Sequence, residues 1–169
     1  VTNRSGSVNQ PRDIVSLMDL GENRPNNPAL VPFPGLDTLP QNKSNDLYEK
    51  LTGPNGTRKS REVIQNINTE FSSELNPGLD YDLVNYARQL NPSEYEINNQ
   101  LGYISLNTAL NNDEVLAVAF EYFYNGQVYK VGDFTQDVPL DQAEANVLFL
   151  KMLKPSLIRT SLPTWDLMM

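Results

Sequence analysis

The chain has 169 residues and a formal net charge of −8, with 21 acidic against 13 basic side chains, no histidine and no cysteine. That balance opposes attraction to nucleic acid or anionic lipid, both of which need a concentrated cationic face, and the basic group Arg58, Lys59 and Arg61 is too short to reverse it; it reads as a solvated helix start. The missing residue types exclude disulfides, thiolate nucleophiles and sulfur-held metals and remove the usual neutral-pH general base, so the composition argues against an enzyme and against a bound cofactor.

Seven of the 12 prolines fall in the first 56 residues, whereas most aromatic and β-branched residues follow Tyr81, so the packed core is expected mainly from the second half. Residues 1–43 show no sustained period. Their prolines at 25, 28, 32, 34 and 40 block helix and central strand, and the segment reads as an extended Pro-rich arm. Its apolar patch of Ile14, Val15, Leu17, Met18 and Leu20 can dock it on the core or on a larger parent protein.

An α+β domain is expected over residues 44–154. Ser44 can cap a short helix over about residues 45–51, stopped by Gly53-Pro54. Over residues 58–75 the apolar positions Val63, Ile64, Ile67, Phe71 and Leu75 recur at three- and four-residue steps, which predicts an amphipathic helix ended near Asn76-Pro77-Gly78. Strand grammar follows: a strand over 81–90, then 95–97 and 103–106 joined as a hairpin across 98–102.

The strongest local signal is Asn125-Gly126 between residues 115–124 and 127–133, because Asn-Gly supplies the positive φ angles of a two-residue hairpin turn. That turn sets Tyr124 opposite Gln127, Tyr122 opposite Tyr129 and Phe120 opposite Val131. Leu116, Val118, Phe120, Tyr122, Tyr129 and Val131 then share a buried side, and Glu121 meets Lys130 on the reverse. Residues 147–153 form a last apolar run before Lys154-Pro155, read as a strand although 143–153 is also compatible with helix. Helices first and antiparallel strands after them imply a mainly antiparallel sheet with helices on one face.

Residues 155–169 read as a segment leading back to a longer protein; Trp165, Leu167, Met168 and Met169 make its end apolar, and Trp165, Leu167 and Met168 are expected to contact a partner. No apolar run approaches the roughly 20 residues of a membrane-spanning helix.

The dispersed glycines form no phosphate-cradling loop, and the serines have no histidine to activate them. Asp133, Asp137 and Asp141, with Glu144 nearby, are candidate Ca²⁺ ligands at a spacing that matches no known calcium loop, and they read first as solvated loop acids. A carboxylate-only hydrolase would need two of these groups within about 5 to 10 Å inside a cleft. The tyrosines at 81, 86, 95, 103, 122, 124 and 129 are expected in sheet packing, whereas an exposed row of them would favour a surface glycan- or peptide-binding module.

Three strings are long and idiosyncratic: Leu110-Asn111-Asn112-Asp113-Glu114-Val115-Leu116-Ala117-Val118-Ala119, the run from Gly126 to Phe134, and Leu162-Pro163-Thr164-Trp165-Asp166-Leu167-Met168-Met169. With Asp13-Ile14-Val15-Ser16-Leu17-Met18-Asp19-Leu20-Gly21 and the run from Gln100 to Asn107, they resemble the SprA family, giant outer-membrane translocons of type 9 secretion and gliding motility in Bacteroidota. The resemblance spans nearly the whole chain and rests on packing and turn motifs that identify no active site. It implies a segment of a very large β-barrel protein of the cell envelope, outside the bilayer, whose partners are the rest of the barrel, accessory secretion subunits and exported cargo. It also implies that Asp37-Thr38-Leu39 resembles the acidic, hydroxyl, aliphatic triplet of O-glycosylation in that phylum, with Thr38 as the acceptor.

Overall fold

The computed structural model describes residues 11–33, 39–139 and 145–168. The fold is α+β, with pairing that is mainly antiparallel. Its centre is a four-stranded sheet of β1 (Arg12–Leu17), β2 (Tyr81–Ala87), β5 (Leu116–Val118) and β8 (Leu148–Lys154), in the order β2-β1-β8-β5. Two separate hairpins complete the strands: β3 (Tyr95–Asn98) with β4 (Tyr103–Leu106), and β6 (Phe120–Tyr124) with β7 (Gln127–Val131). Among the named strands, β1 and β8 alone pair in parallel.

Period-two alternation sorts the central sheet into two apolar layers. Val15, Leu17, Tyr81, Val147 and Phe149 join Leu47 and Leu51 of helix α1 (Leu47–Thr52) and Val63 and Ile67 of helix α2 (Val63–Glu70), so both helices cover one face. Ile14, Val84, Val115, Val138 and Leu148 form the second cluster, on the opposite face. Strands β1 and β8 are almost entirely buried, and their polar members Arg12, Ser16, Lys151 and Lys154 are buried with the apolar ones, as in strands covered on both sides.

Residues 12–17 therefore do not belong to an arm. Pro25, Pro28 and Pro32 come after this strand and cannot interrupt it, and Ile14, Val15 and Leu17 are buried, so most of the patch expected to dock an arm lies in one of the two inner strands of the sheet. Downstream of β1 the chain is also held, because Asp19 accepts the Asn26 and Asn27 N–H groups at 2.8 and 2.9 Å.

Ser44 does not cap α1. It is buried, its hydroxyl donates to the Leu39 carbonyl at 3.2 Å, and Asn45 Oδ1 accepts the Leu47 N–H at 3.0 Å instead. Helix α2 is shorter than its apolar period suggests. Ser72 and Ser73 adopt φ of 50° and 61°, which breaks the helix, yet Phe71 and Leu75 still reach the core. Residues 148–154 are strand rather than helix, because β8 is claimed by β1 on one side and β5 on the other.

Every predicted pair of the Asn125-Gly126 hairpin is present: Phe120 with Val131, Glu121 with Lys130, Tyr122 with Tyr129, and Tyr124 with Gln127. Asn125 and Gly126 take φ of 47° and 81°. The expected single strand over 115–124 is split in two at Ala119. There the chain leaves β8 and passes Gly132, where a Cβ would sit 3.1 Å from the Ala119 Cβ and 3.2 Å from the Phe149 carbonyl oxygen. A bulge lies on β2, where Asn85 and Tyr86 together oppose Asp13; Tyr86 adopts φ of 56° and its N–H donates to Asp13 Oδ1 at 2.9 Å.

Candidate functional site

Asp133 follows β7 and is 2% exposed. Its Oδ1 accepts from the Tyr48 hydroxyl at 2.6 Å and from Arg58 Nη2 at 3.2 Å; its Oδ2 accepts from Arg58 Nη1 at 2.5 Å and from the Phe149 N–H at 2.8 Å. An ionised carboxylate has about four lone-pair positions, and all are taken. The Arg58 guanidinium also lies 4.8 Å from the Phe149 ring centre, a cation–π contact that closes the cluster. Burial, followed by the hydrogen bond to Asp133, pushes the Tyr48 phenol up to about 12, so it remains a donor at neutral pH.

This carboxylate is neither a solvated loop acid nor open to a cation. It is the linchpin joining α1, the loop before α2, β7 and β8. Arg58 likewise departs from the solvated reading of the basic cluster, because it turns inward while Lys59 and Arg61 stay at the surface. In the sequence Asp133 stands out only as a member of the acidic cluster after residue 131. Nothing in the sequence pairs it with residues 48 and 58.

Asp137 is exposed and engaged elsewhere, with Lys130 Nζ and the Phe134 N–H at 3.3 Å as its donors. The Lys130 hydrogen bond holds its carboxyl below the usual aspartate range. Asp141, Glu144 and Thr38 lie outside the described residues. Among the described residues, no three acidic groups are placed to hold a metal ion.

Two lysines of β8 are buried by different means. Lys151 donates to the Met18 carbonyl and to Glu22 Oε1 at 2.6 Å. Lys154 donates to the carbonyls of Asn112 at 2.9 Å, Glu114 at 2.5 Å and Pro155 at 3.3 Å, and burial lowers its pKa. Both amines pin loops to the sheet.

The apolar surface lies on the two hairpins and the final segment. On β6–β7, Tyr122 and Tyr129 stack inward at 5.2 Å between ring centres, whereas Phe123 and Val128 face outward, 72% and 62% exposed. On β3–β4, Ile97, Leu101, Tyr103 and Ile104 are all exposed. Tyr81 and Tyr129 are packed as expected; Tyr86, Tyr103 and Tyr124 are not. A shallow cleft of about 370 Å³ lies along the hairpin, with Glu96, Asn98, Gln100, Tyr103 and Ser105 in its wall.

Residues 163–166 form a short helix, α3 (Pro163–Asp166), that lies against β8. Thr164 is buried there, while Trp165 and Leu167 are exposed and Met168 is partly exposed. The structure thus presents the first two as free surface and tucks the third closer in.

No model of a known protein family matches the chain, and no curated protein is significantly similar to it. Among the described residues no helix is long and apolar enough to cross a membrane.

Proposed function

We propose that the chain is a non-catalytic segment of an outer-membrane protein-secretion translocon, of the type 9 secretion and gliding-motility kind, in the cell envelope. In this reading it shapes the conduit and offers surfaces to the rest of the barrel, to accessory subunits or to cargo. One observation carries the proposal: the buried Asp133 carboxylate and the buried Lys154 amine are taken up by structural partners, while large apolar side chains are kept outside on two hairpins and the terminal helix. A domain built to be covered places its free energy in that way. The motif strings quoted above support the secretion context.

The test is a clean deletion of residues 11–168 within the parent protein, with barrel insertion checked separately. Loss of cargo export with the barrel inserted is the expected result, and normal export would refute the reading.

A second reading, a surface module for glycan or peptide, draws on the exposed rings of Tyr86, Tyr103 and Tyr124 and on the cleft beside Tyr103. Titration of the isolated chain with neutral oligosaccharides, read by tyrosine resonances, discriminates: shifts confined to these three residues support it.

A further inference from the structure

The β3–β4 hairpin is an amphipathic arm whose apolar side, half-buried at Tyr95 and Leu106, is left exposed at Ile97 and Ile104 among the described residues. Its register is Tyr95 with Leu106, Glu96 with Ser105, Ile97 with Ile104 and Asn98 with Tyr103. Alternation therefore places Tyr95, Ile97, Ile104 and Leu106 on one face and Glu96, Asn98, Tyr103 and Ser105 on the other. An apolar row selected at every second position belongs to a buried face, yet Ile97 is 57% exposed and Leu101 at the tip is 74% exposed. Among the described residues the hairpin forms a sheet of only two strands, so β3 and β4 each keep one edge without a neighbour there. Two strands alone are marginal in water, and a third strand on an open edge is the ordinary remedy.

The arm is held firmly at its root. Arg88 grips Glu94 through two hydrogen bonds of 2.8 Å, Glu94 also accepts the Asn91 N–H at 2.8 Å, and the Glu94 carbonyl accepts the Asn107 N–H at 2.9 Å. At the tip, Asn98 Oδ1 accepts the Gln100 and Leu101 N–H groups, and Gly102 turns at φ of 70°. A fixed root and a tight tip present a preformed edge.

Charge selects the occupant. Residues 89–129 contain no lysine or arginine, and their acidic residues are Glu94, Glu96, Asp113, Glu114 and Glu121. Glu94 is matched by Arg88, whereas Glu96, at the middle of β3, has no cation partner among the described residues. Exposed edges are commonly guarded by lysine, and this one has none. A second copy would set Glu96 against a surface of the same sign, and an anionic membrane would be repelled.

We infer that the free edge of β3 binds an extended segment of a protein partner in which apolar and basic residues alternate. Its apolar side chains lie beside Ile97 and Ile104, and a lysine or arginine on the other face pairs with Glu96. The inference rests on the docking role proposed above, but its test does not use secretion. Failure of binding and failure of the deletion experiment are therefore separate results.

The test uses the whole chain and a short fluorescent peptide alternating lysine with valine, beside its glutamate-for-lysine counterpart, with amide shifts mapped by NMR. The lysine peptide is expected to bind with shifts centred on residues 95–106. Affinity should fall about tenfold in the Ile97→Ser, Ile104→Ser double variant, whose sites are exposed and leave the fold intact, and several-fold in Glu96→Lys. Raising salt from about 0.05 to 0.5 M should weaken binding, as charge pairing requires. Absence of binding, equal binding of the glutamate peptide, or insensitivity to these substitutions overturns the inference. So does self-association, or adsorption to phosphatidylglycerol vesicles, that the double substitution abolishes in place of peptide binding.

Discussion

The central sheet and the β3–β4 hairpin use the same alternation of apolar and polar residues to opposite ends. In β1 and β8 both faces are covered, the register is fixed by neighbours on each side, and even the lysines are buried against carbonyls and carboxylates. In β3 and β4 the same alternation is left facing solvent, and order comes from a polar root and a turn rather than from packing. The difference separates residues that hold the fold from residues kept available. Substitutions should therefore sort by region and not by residue type.

The largest effect is expected at the buried ion pair. Arg58→Met leaves the Asp133 carboxylate without its cation in a closed site and should lower unfolding free energy by about 3–5 kcal/mol in urea titrations. Leu17→Ala in β1 should remove about 2–5 kcal/mol, whereas Ile104→Ala in the hairpin should change stability by no more than about 0.5 kcal/mol. Equal losses at these two positions would end the distinction between regions. Next, Tyr48→Phe removes one donor from Asp133 and should cost about 1–2 kcal/mol. Its effect should be smaller than that of Arg58→Met because the cation remains.

A gain is expected at the bulge of β2. Tyr86 holds a left-handed conformation that disfavours side chains with a Cβ, so Tyr86→Gly should raise stability by about 1 kcal/mol in the same assay. The smallest effect is local and pH-dependent. The Arg88 hydrogen bonds, and then the Asn91 N–H, hold the Glu94 carboxyl down to about 2, against an ordinary value of 4.5. A depressed acid favours the folded root above pH 4.5, and that support is lost as pH falls toward about 2. Amide exchange at Asn91 and Asn107 should quicken over that window before the amides of β1 and β8 do.

The α+β class, the two hairpins and the full register around Asn125-Gly126 were legible because each is a local matter of period and turn chemistry. Strand β1 was misread as part of an arm because proline density was averaged over residues 1–43, although its prolines at 25, 28 and 32 all lie beyond the strand. The Asp133 cluster was out of reach for a different reason. Tyr48 and Arg58 lie 85 and 75 residues from Asp133, and no spacing rule links groups that meet only when α1, β7 and β8 assemble. The acids near the end of β7 were visible as a cluster, but whether each is inside or outside depends on tertiary packing.

The parallel pairing of β1 with β8 has a consequence for how the chain is made. Lys151 reaches a carbonyl 133 residues earlier, so the middle of the sheet closes only when a strand from near the beginning meets one from near the end. Such distant partnering slows the search for the native state. A nascent chain, extending at about 5–20 residues per second, must hold β1 unpaired on that side until β8 emerges. Truncation at either edge should therefore collapse the whole sheet.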